Sequence, residues 1–556
     1  MRTDGPTTTV EVSADSRRPS ACSAATRNAI PAALVAIEAR RRQSAGRRGH
    51  QCMSTASAHA RTMESGRVAK RAQGYHGPVT GEPAGSRRDA DEATRGSAVK
   101  LAAEVASRLI GFATMWLLLR GLGPLRGLGA SEFGVLGELS VYALLLAEAG
   151  ELGLQALASR ALVAGTHSLE SLLRARAALA LLVAGLAVAG GLALDGPALA
   201  LLVAWFALSG WCEFFGVALR CRGARLGEAG ILLVLRGGAL VAAGLALAAG
   251  ARLTGVAAAL AVSPLPAFVL GAWWLRRSAP AAPGALVSPL AVLKESFPLA
   301  LHGVLLLLSP RVEFLVLSWL LPDRQAVGLF YAALLVFWPL SMIPTAIAAG
   351  AMPALTREAL QRGAAVRRRT AALLSLVAAP AAIGLALVAR PAAELLLGPG
   401  SSSADHAATA ELLRLLCLAL PALFANALLS ASLIAAGRAA WLPRLTASRV
   451  LIAFALALAL VPALGARGAA LGLALAEWLL VAASAVACRR ASFAVPVLRP
   501  LGWALVACVP MALAVRGVSG SLALAVPIGA LTWAASLAAA WRLLPGVVAR
   551  LAEAER

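Results

Sequence analysis

Seven of the charged residues inside apolar segments are candidates for function, because a charge at that depth costs at least about 2.5–3.5 kcal/mol on insertion scales. They are the arginines Arg108, Arg236, Arg311 and Arg414 and the glutamates Glu138, Glu148 and Glu313. An arginine at such depth keeps its charge and donates paired hydrogen bonds to phosphate oxygens. A glutamate there can exchange a proton or hold a sodium ion. The residue types therefore predict an anion-binding site and a separate site for ion coupling.

Each of these charges also has a purely structural interpretation. Arg108 follows Glu104 by one helical turn, and Arg414 follows Glu411 by three residues, so each arginine can form an ion pair along its own helix. At 100° per residue Arg311 and Glu313 lie on nearly opposite faces, so they do not both face one cavity. We expect Arg311 to face it, unless Pro310 bends the helix and brings Glu313 there instead.

The composition places these residues in a membrane protein. The 556 residues are 59% hydrophobic and 14% charged, with a mean hydropathy of +0.76, whereas soluble domains carry about 25% charged residues. The net charge of +23 would suggest nucleic acid in a soluble chain, but in a membrane protein the basic residues first indicate topology. We expect the bilayer as a partner and no nucleic acid.

Known catalytic and metal-binding motifs are absent from the sequence. The seven cysteines occur singly, without a CxxC pair or a histidine cluster. There is no Walker A sequence, GxSxG elbow or dinucleotide fingerprint. We expect no enzyme activity, no cofactor and no bound metal. A membrane-embedded glycosyltransferase or ligase stays open as an alternative from another class, although the short outer loops disfavour it.

Apolar segments of membrane-spanning length follow one another from about residue 99. Fourteen spans are predicted: 99–120, 134–157, 174–194, 197–218, 229–250, 253–275, 296–321, 326–349, 370–390, 408–430, 443–463, 467–488, 499–516 and 520–541. Residues 1–97 are polar, arginine-rich and typical of a disordered tail. The predicted domains are therefore this tail, lobes at 98–275 and 276–490 with six helices each, and residues 491–556 with two more helices.

The loops alternate in basic charge, as the positive-inside rule requires. The basic side collects three groups of arginines in the second half of the chain: Arg357 with Arg367–Arg369, Arg438 with Arg444 and Arg449, and Arg489 with Arg490. The opposite side carries mostly single arginines. Both termini are therefore predicted to be cytoplasmic.

An internal repeat relates the two predicted lobes. Arg108 is followed eight residues later by Trp116-Leu117-Leu118, and Arg311 eight residues later by Trp319-Leu320-Leu321. After each arginine span, a short loop leads into another helix through residues 132–136 in one half and 326–330 in the other. Repeated lobes of this kind place the substrate site of a transporter at their interface.

Several short motifs resemble the polysaccharide flippases (Wzx-type) of the multidrug/oligosaccharidyl-lipid/polysaccharide exporter superfamily. Residues 129–134 match a G-x-x-E-[FY]-G loop, and residues 151–154 resemble a D-L-G-L helix end, with Glu151 where aspartate is commoner. Ser159-Arg160 supplies the following basic residue. Residues 339–344 and 352–357 resemble the superfamily's pattern in the eighth span.

The resemblance implies an all-α protein with two six-helix lobes around a central cavity. By alternating access it would carry a polyprenyl-pyrophosphate-linked oligosaccharide across the bacterial cytoplasmic membrane for surface polysaccharide synthesis. Partners would include a polymerase or glycosyltransferases. The lipid II flippases and the cation-coupled multidrug exporters of the same superfamily stay as alternatives, and the buried arginines disfavour a cationic drug as cargo.

Overall fold

The computed structural model describes residues 84–122, 125–193, 197–278, 285–360 and 364–543. The chain divides into two compact units, Met1–Arg88 and Asp89–Arg556, and everything below concerns the second. Residues 1–83 of the predicted tail and residues 544–556 lie outside the described ranges.

Twenty α-helices account for nearly all regular structure in the described ranges. In chain order they are α1 (Ala84–Arg120), α2 (Gly129–Glu151), α3 (Leu154–Ala164), α4 (Leu169–Ala193), α5 (Pro197–Cys221), α6 (Arg225–Ala248), α7 (Leu253–Val262), α8 (Leu265–Arg277), α9 (Pro289–Leu308), α10 (Val312–Leu320), α11 (Arg324–Leu360), α12 (Ala365–Leu387), α13 (Ala389–Leu397), α14 (Ser403–Cys417), α15 (Leu420–Ala435), α16 (Leu442–Leu464), α17 (Ala466–Arg490), α18 (Leu498–Ala507), α19 (Val509–Val518) and α20 (Leu522–Leu543). Two 3-10 turns, Ser309–Arg311 and Ala439–Trp441, precede α10 and α16. Strands β1 (Gly121–Leu122) and β2 (Leu125–Arg126) pair antiparallel between α1 and α2.

The all-α membrane architecture is confirmed, whereas the count of fourteen spans is not. Eleven helices or helix pairs of the described residues are long and apolar enough to cross a membrane, and twelve if α18 and α19, bent by 46° at their junction, form one span. Helices α4 (Leu169–Ala193) and α20 (Leu522–Leu543) cover the third and fourteenth predicted spans. Helix α1 begins at Ala84, so residues 84–97 are helical.

We call α1–α8 the N-lobe and α9–α17 the C-lobe. In the N-lobe α5 is central and packs on α2, α4, α6, α7 and α8. In the C-lobe α16 packs on α17, and α15 lies between α11, α12 and α17. Helices α16 and α17 approach closely where Gly472 faces the backbone of Ala457, because small residues allow membrane helices to pack tightly.

The seventh predicted span is divided at Pro310. Helix α9 packs mainly on α4, α2 and α3 of the N-lobe, whereas α10 packs mainly on α16 and α17 of the C-lobe. The 3-10 turn Ser309–Arg311 joins them, since proline removes a backbone donor and interrupts the α-helical pattern. One apolar segment thus contacts both lobes.

Candidate functional site

A cavity of about 460 Å³ lies in the N-lobe, on the side that faces α11. Helices α1, α3, α5 and α6 form most of its wall, and Met342 of α11 closes it from the C-lobe. Its charged lining consists of the guanidinium groups of Arg108, Arg220 and Arg236 and the carboxyl groups of Glu104, Glu213 and Glu228. Sequence analysis places Arg108 and Arg236 in a cargo site, and the structure brings these two together with Arg220.

The three arginines differ in how their charges are compensated. Arg220 forms a bidentate pair with Glu228, with Nε 3.0 Å from both carboxylate oxygens. The Arg236 Nη2 lies 3.5 Å from Glu213 Oε1, an ion pair without close hydrogen-bond contact. The side chain of Arg108 is exposed in the cavity wall, and within the described ranges no carboxylate comes within 4.0 Å of it. Arg108 therefore offers the least compensated positive charge to a ligand.

The lobes meet at the end where α2 and α11 begin, away from the cavity. Gly134 and Gly328, the equivalent glycines of the sequence repeat, face each other, and a Cβ on Gly134 would lie 2.8 Å from the Gly328 nitrogen. A Cβ on Gly328 would overlap the backbone oxygen of Ala130. The Trp319 indole of α10 donates to the Tyr142 hydroxyl of α2. The lobes are therefore closed against each other at this end.

An ion pair across the same junction joins Glu138 of α2 to Arg324 of α11. The Arg324 Nη1 lies 2.5 Å from Glu138 Oε2, and Tyr142 donates to Glu138 Oε1 at 3.2 Å. Sequence analysis treats Glu138 as an ion-coupling residue, whereas the structure places it in a contact between lobes. Its carboxylate holds the closed end together.

Reversing one charge of this pair should hinder closure. We expect Glu138→Arg to lower the transport rate roughly 5-fold, since the pair is partly exposed and like charges then face each other. The double variant Glu138→Arg/Arg324→Glu should recover at least half of the rate in the same proteoliposome assay, because it restores the pair in reverse. Equal loss in the single and double variants would contradict a gating role for the pair.

The other two predicted arginines do not line this cavity. Arg311 is partly buried, donates from Nη1 to the Leu307 oxygen at 2.7 Å and lies over the Trp338 ring, 5.6 Å from its centroid. Trp338 precedes Met342 by one helical turn on α11, so Arg311 approaches the cavity wall from the C-lobe. Arg414 is exposed and donates to the Ala386 oxygen at 3.4 Å.

The alternative pairing of Arg414 with Glu411 is not observed. The Glu411 carboxylate pairs with Arg467 instead, at 2.7 Å.

Glu148 lies in the N-lobe where α2 meets α9. Its Oε1 is 3.1 Å from the position that a Cβ on Gly303 would take. Nearby, Glu151 accepts a hydrogen bond from Arg176 at 2.5 Å, and the Arg176 guanidinium sits over the rings of Trp211 and Phe214. This N-lobe cluster is separate from Glu138.

Glu313 lies in the C-lobe core, 1% exposed, beside a fully buried arginine that sequence analysis assigned to a loop. The Arg449 Nη2 is 3.0 Å from Glu313 Oε1. Arg449 belongs to the predicted span 443–463, so its position within an apolar segment could have predicted that it is buried. No group of three or more metal-ligating side chains occurs in the described ranges.

The lobed bundle of apolar helices defines a polytopic membrane protein with a cavity in its N-lobe. Helices α2 and α11 pack against each other across the lobes, and the cavity lies outside this contact.

Comparisons with known proteins agree with this class. The family model "Lipid II flippase MurJ" matches residues 315–533. The solved structure "Lipid II flippase MurJ, inward closed conformation" superposes with a TM-score of 0.66 at 13% identity, covering 80% of this chain and 99% of that one. An inward-facing multidrug resistance MATE family transporter of the MOP superfamily gives a TM-score of 0.52 at 17% identity, covering 71% and 98%. No curated protein matches the sequence.

Proposed function

We propose that the chain is a flippase that carries a lipid-linked, phosphate-containing precursor across the membrane, and that this precursor is of the lipid II class. The family match over residues 315–533 and the lipid II flippase fold support this cargo over the lipid-linked oligosaccharide first expected from the sequence. Both cargoes share a diphosphate next to a long apolar chain, so the physical demands on the cavity are the same.

Arg108 is the observation that carries the proposal. A lipid diphosphate entering the cavity must exchange its hydration for fixed donors, and a guanidinium without a carboxylate partner supplies two parallel hydrogen bonds. Arg236 can exchange its 3.5 Å contact with Glu213 for a phosphate oxygen, because this contact is long. Arg220 is less available, because it forms a close bidentate pair with Glu228. The cargo diphosphate therefore binds between Arg108 and Arg236.

The predicted topology gives the cavity a direction. Arg108 lies in the first half of the membrane-crossing part of α1, Ala102–Arg120, and the positive-inside rule assigns that end of the helix to the cytoplasm. In this conformation the closed contact between α2 and α11 faces outward and the cavity faces the cytoplasmic leaflet. Cargo enters from that leaflet and leaves after the contact between Gly134 and Gly328 opens.

The multidrug exporter alternative is weaker but has one observation in its favour. Glu104, Glu213 and Glu228 balance the three arginines in the cavity lining. Two of these carboxylates are bound to arginines of the same cavity, Glu228 to Arg220 and Glu213 to Arg236. A cationic drug would have to displace those arginines, whereas an anionic headgroup meets Arg108 directly.

Translocation by the purified full-length protein in proteoliposomes tests the cargo. We expect labelled lipid II to cross faster than in protein-free vesicles, and a polyprenyl-diphosphate oligosaccharide to cross more slowly than lipid II. An organic cation should not be transported. Faster translocation of the oligosaccharide lipid than of lipid II would favour the lipid-linked oligosaccharide as the cargo. Transport of the organic cation without translocation of lipid II would overturn the proposal.

A further inference from the structure

Two glutamates and an asparagine surround Arg449 in the C-lobe core. The Arg449 Nη2 lies 3.0 Å from Glu313 Oε1 on α10, and its Nε lies 3.0 Å from Glu477 Oε1 on α17. The Asn426 amide of α15 donates to the backbone oxygen and to Oε2 of Glu477 at 3.1 and 2.9 Å. The exposed fractions of Arg449, Glu313 and Glu477 are 1%, 1% and 6%. Four helices thus contribute to one buried polar cluster.

The guanidinium of Arg449 occupies the place of a cation between the carboxylates. Two carboxylates with a single arginine leave a net charge of −1, and an uncompensated buried charge costs several kcal/mol. A metal ion that cancelled this charge would compete with Arg449, whose side chain is covalently tethered and already bridges both carboxylates. A proton cancels the charge without displacing the arginine.

The hydrogen bonds show which carboxylate is suited to the proton. Both oxygens of Glu477 accept hydrogen bonds, one from Arg449 and one from Asn426. Glu313 has fewer partners: its Oε1 has the Arg449 contact at 3.0 Å alone, its Oε2 has no side-chain partner in the described ranges, and Asn426 Oδ1 also lacks a donor. Arg449 Nη1 in turn lacks an acceptor, so the imbalance of the cluster is one of negative charge, and protonation of Glu313 would remove it.

Other charged groups do not compensate Glu313. The charges acting on it are those of Arg449 on α16 and Glu477 on α17. Helix α11 contributes Tyr331, whose ring packs on Phe314, and α2 contributes the Tyr142 hydroxyl, which binds Trp319. Arg311 on the preceding turn points to Leu307 and Trp338. Within the described ranges the balance at Glu313 therefore depends on this cluster alone.

We propose that Glu313 is a proton-binding site, and that Arg449 acts as a tethered cation that excludes Na⁺ from the C-lobe. The carboxylate of Glu313 takes one proton from the aqueous phase on one side of the membrane and returns it to the other. Proton loss strengthens the attraction between α10 and Arg449, and proton gain weakens it. This inference rests on the proposed transport function only for its role in coupling.

The position of Glu313 links the proton to the two lobes. It lies two residues after the 3-10 turn at which the segment leaves the N-lobe contacts of α9 and enters the C-lobe contacts of α10. A change in the attraction between α10 and the Arg449 cluster of α16 and α17 therefore acts next to the turn that joins the lobes. The same turn carries Arg311 against Trp338, one helical turn from the cavity wall.

The first experiment detects the proton without cargo. Infrared spectra of the purified full-length protein at neutral pH should show a protonated carboxylic acid band that shifts in D₂O. Glu313→Gln should lose this band, and Glu411→Gln, which alters an exposed carboxylate paired with Arg467, should keep it. A spectrum without the band, or one that Glu313→Gln leaves unchanged, would overturn the proton assignment.

The second experiment tests the exclusion of sodium by thermal unfolding in NaCl against choline chloride at equal ionic strength. The wild-type midpoint should be the same in both salts. Arg449→Ala should lower the midpoint by roughly 5 °C or more and should regain stability from Na⁺ or guanidinium, which fill the vacated position. A wild-type protein stabilised by Na⁺, or an Arg449→Ala protein indifferent to both cations, would contradict the tethered-cation role. Both experiments omit cargo, so their failure would leave the flippase proposal intact.

Discussion

Replacing Gly328 by alanine is expected to lower the transport rate by about 5- to 150-fold. Overpacking against backbone costs about 1–3 kcal/mol, and this cost destabilises only the conformation in which α2 and α11 are in contact. The new Cβ would overlap the Ala130 oxygen at the start of α2. The Cβ would lie 1.7 Å from that oxygen, so the backbones of α2 and α11 would have to separate by about 1.3 Å to bring this distance to 3.0 Å, and the outward end would close less often. The rate of lipid II translocation in proteoliposomes measures the effect.

Helix α11 provides its own control for this substitution. Gly350 lies on the same helix with nothing within 4 Å of the Cβ position, so Gly350→Ala should transport at the wild-type rate and unfold at an equal or higher temperature. Wild-type transport by Gly328→Ala would show that the glycine contact does not limit closure. A loss of folded protein in Gly328→Ala, seen by size-exclusion chromatography, would separate a folding defect from a gating defect.

Arg108→Ala is expected to reduce transport of the lipid-linked diphosphate by about 10- to 100-fold, because a hydrogen bond to a charged group contributes about 1.5–3 kcal/mol. The protein should fold normally, since Arg108 is exposed to the cavity and no ion pair is lost in the described structure. Arg108→Lys should retain part of the activity, because lysine keeps the charge but not the two-pronged geometry.

Arg414→Ala is the matched control for Arg108. Its guanidinium is also exposed on a membrane helix, but it reaches only the Ala386 oxygen and lies outside the cavity lining. We expect transport within about 2-fold of wild type, as for most surface substitutions. Equal losses in the Arg108 and Arg414 variants would point to a general effect of arginine removal and would remove the support for a diphosphate site at Arg108.

The membrane fold was largely readable from the sequence because apolar length and loop charge are one-dimensional properties. Every predicted span falls on at least one helix, although some lie on two shorter helices and not all of the helices reach membrane-spanning length. The helix break at Pro310 was also anticipated as a bend. The sequence did not show that the two parts of this span, α9 and α10, would pack on opposite lobes, because such contacts depend on three-dimensional packing.

The site was predictable only in part. Arg108 and Arg236 meet at one cavity, whereas Glu138 turned out to bind Arg324 across the lobes. Arg449 was counted among loop arginines because the positive-inside rule considers charge near helix ends and not its partners. Those partners, Glu313 and Glu477, are distant in sequence, so their convergence on one guanidinium follows from the fold and not from any local pattern.

The contact between Gly134 and Gly328 supports the internal repeat found in the sequence. Each glycine is the third residue of its matched segment, 132–136 or 326–330, and the structure places the two in contact. Contact between equivalent residues is what a two-fold relation between the halves produces on its axis.

The difference between the two charged interiors has a consequence for how the halves tolerate mutation. Charges of the N-lobe line an open cavity, so a change there alters what the protein moves while the chain still accumulates in the membrane. Those of the C-lobe are enclosed around Arg449, and a change there removes a partner from a buried charge. Substitutions at the cavity charges should therefore lower activity, whereas substitutions around Arg449 should lower the amount of folded protein.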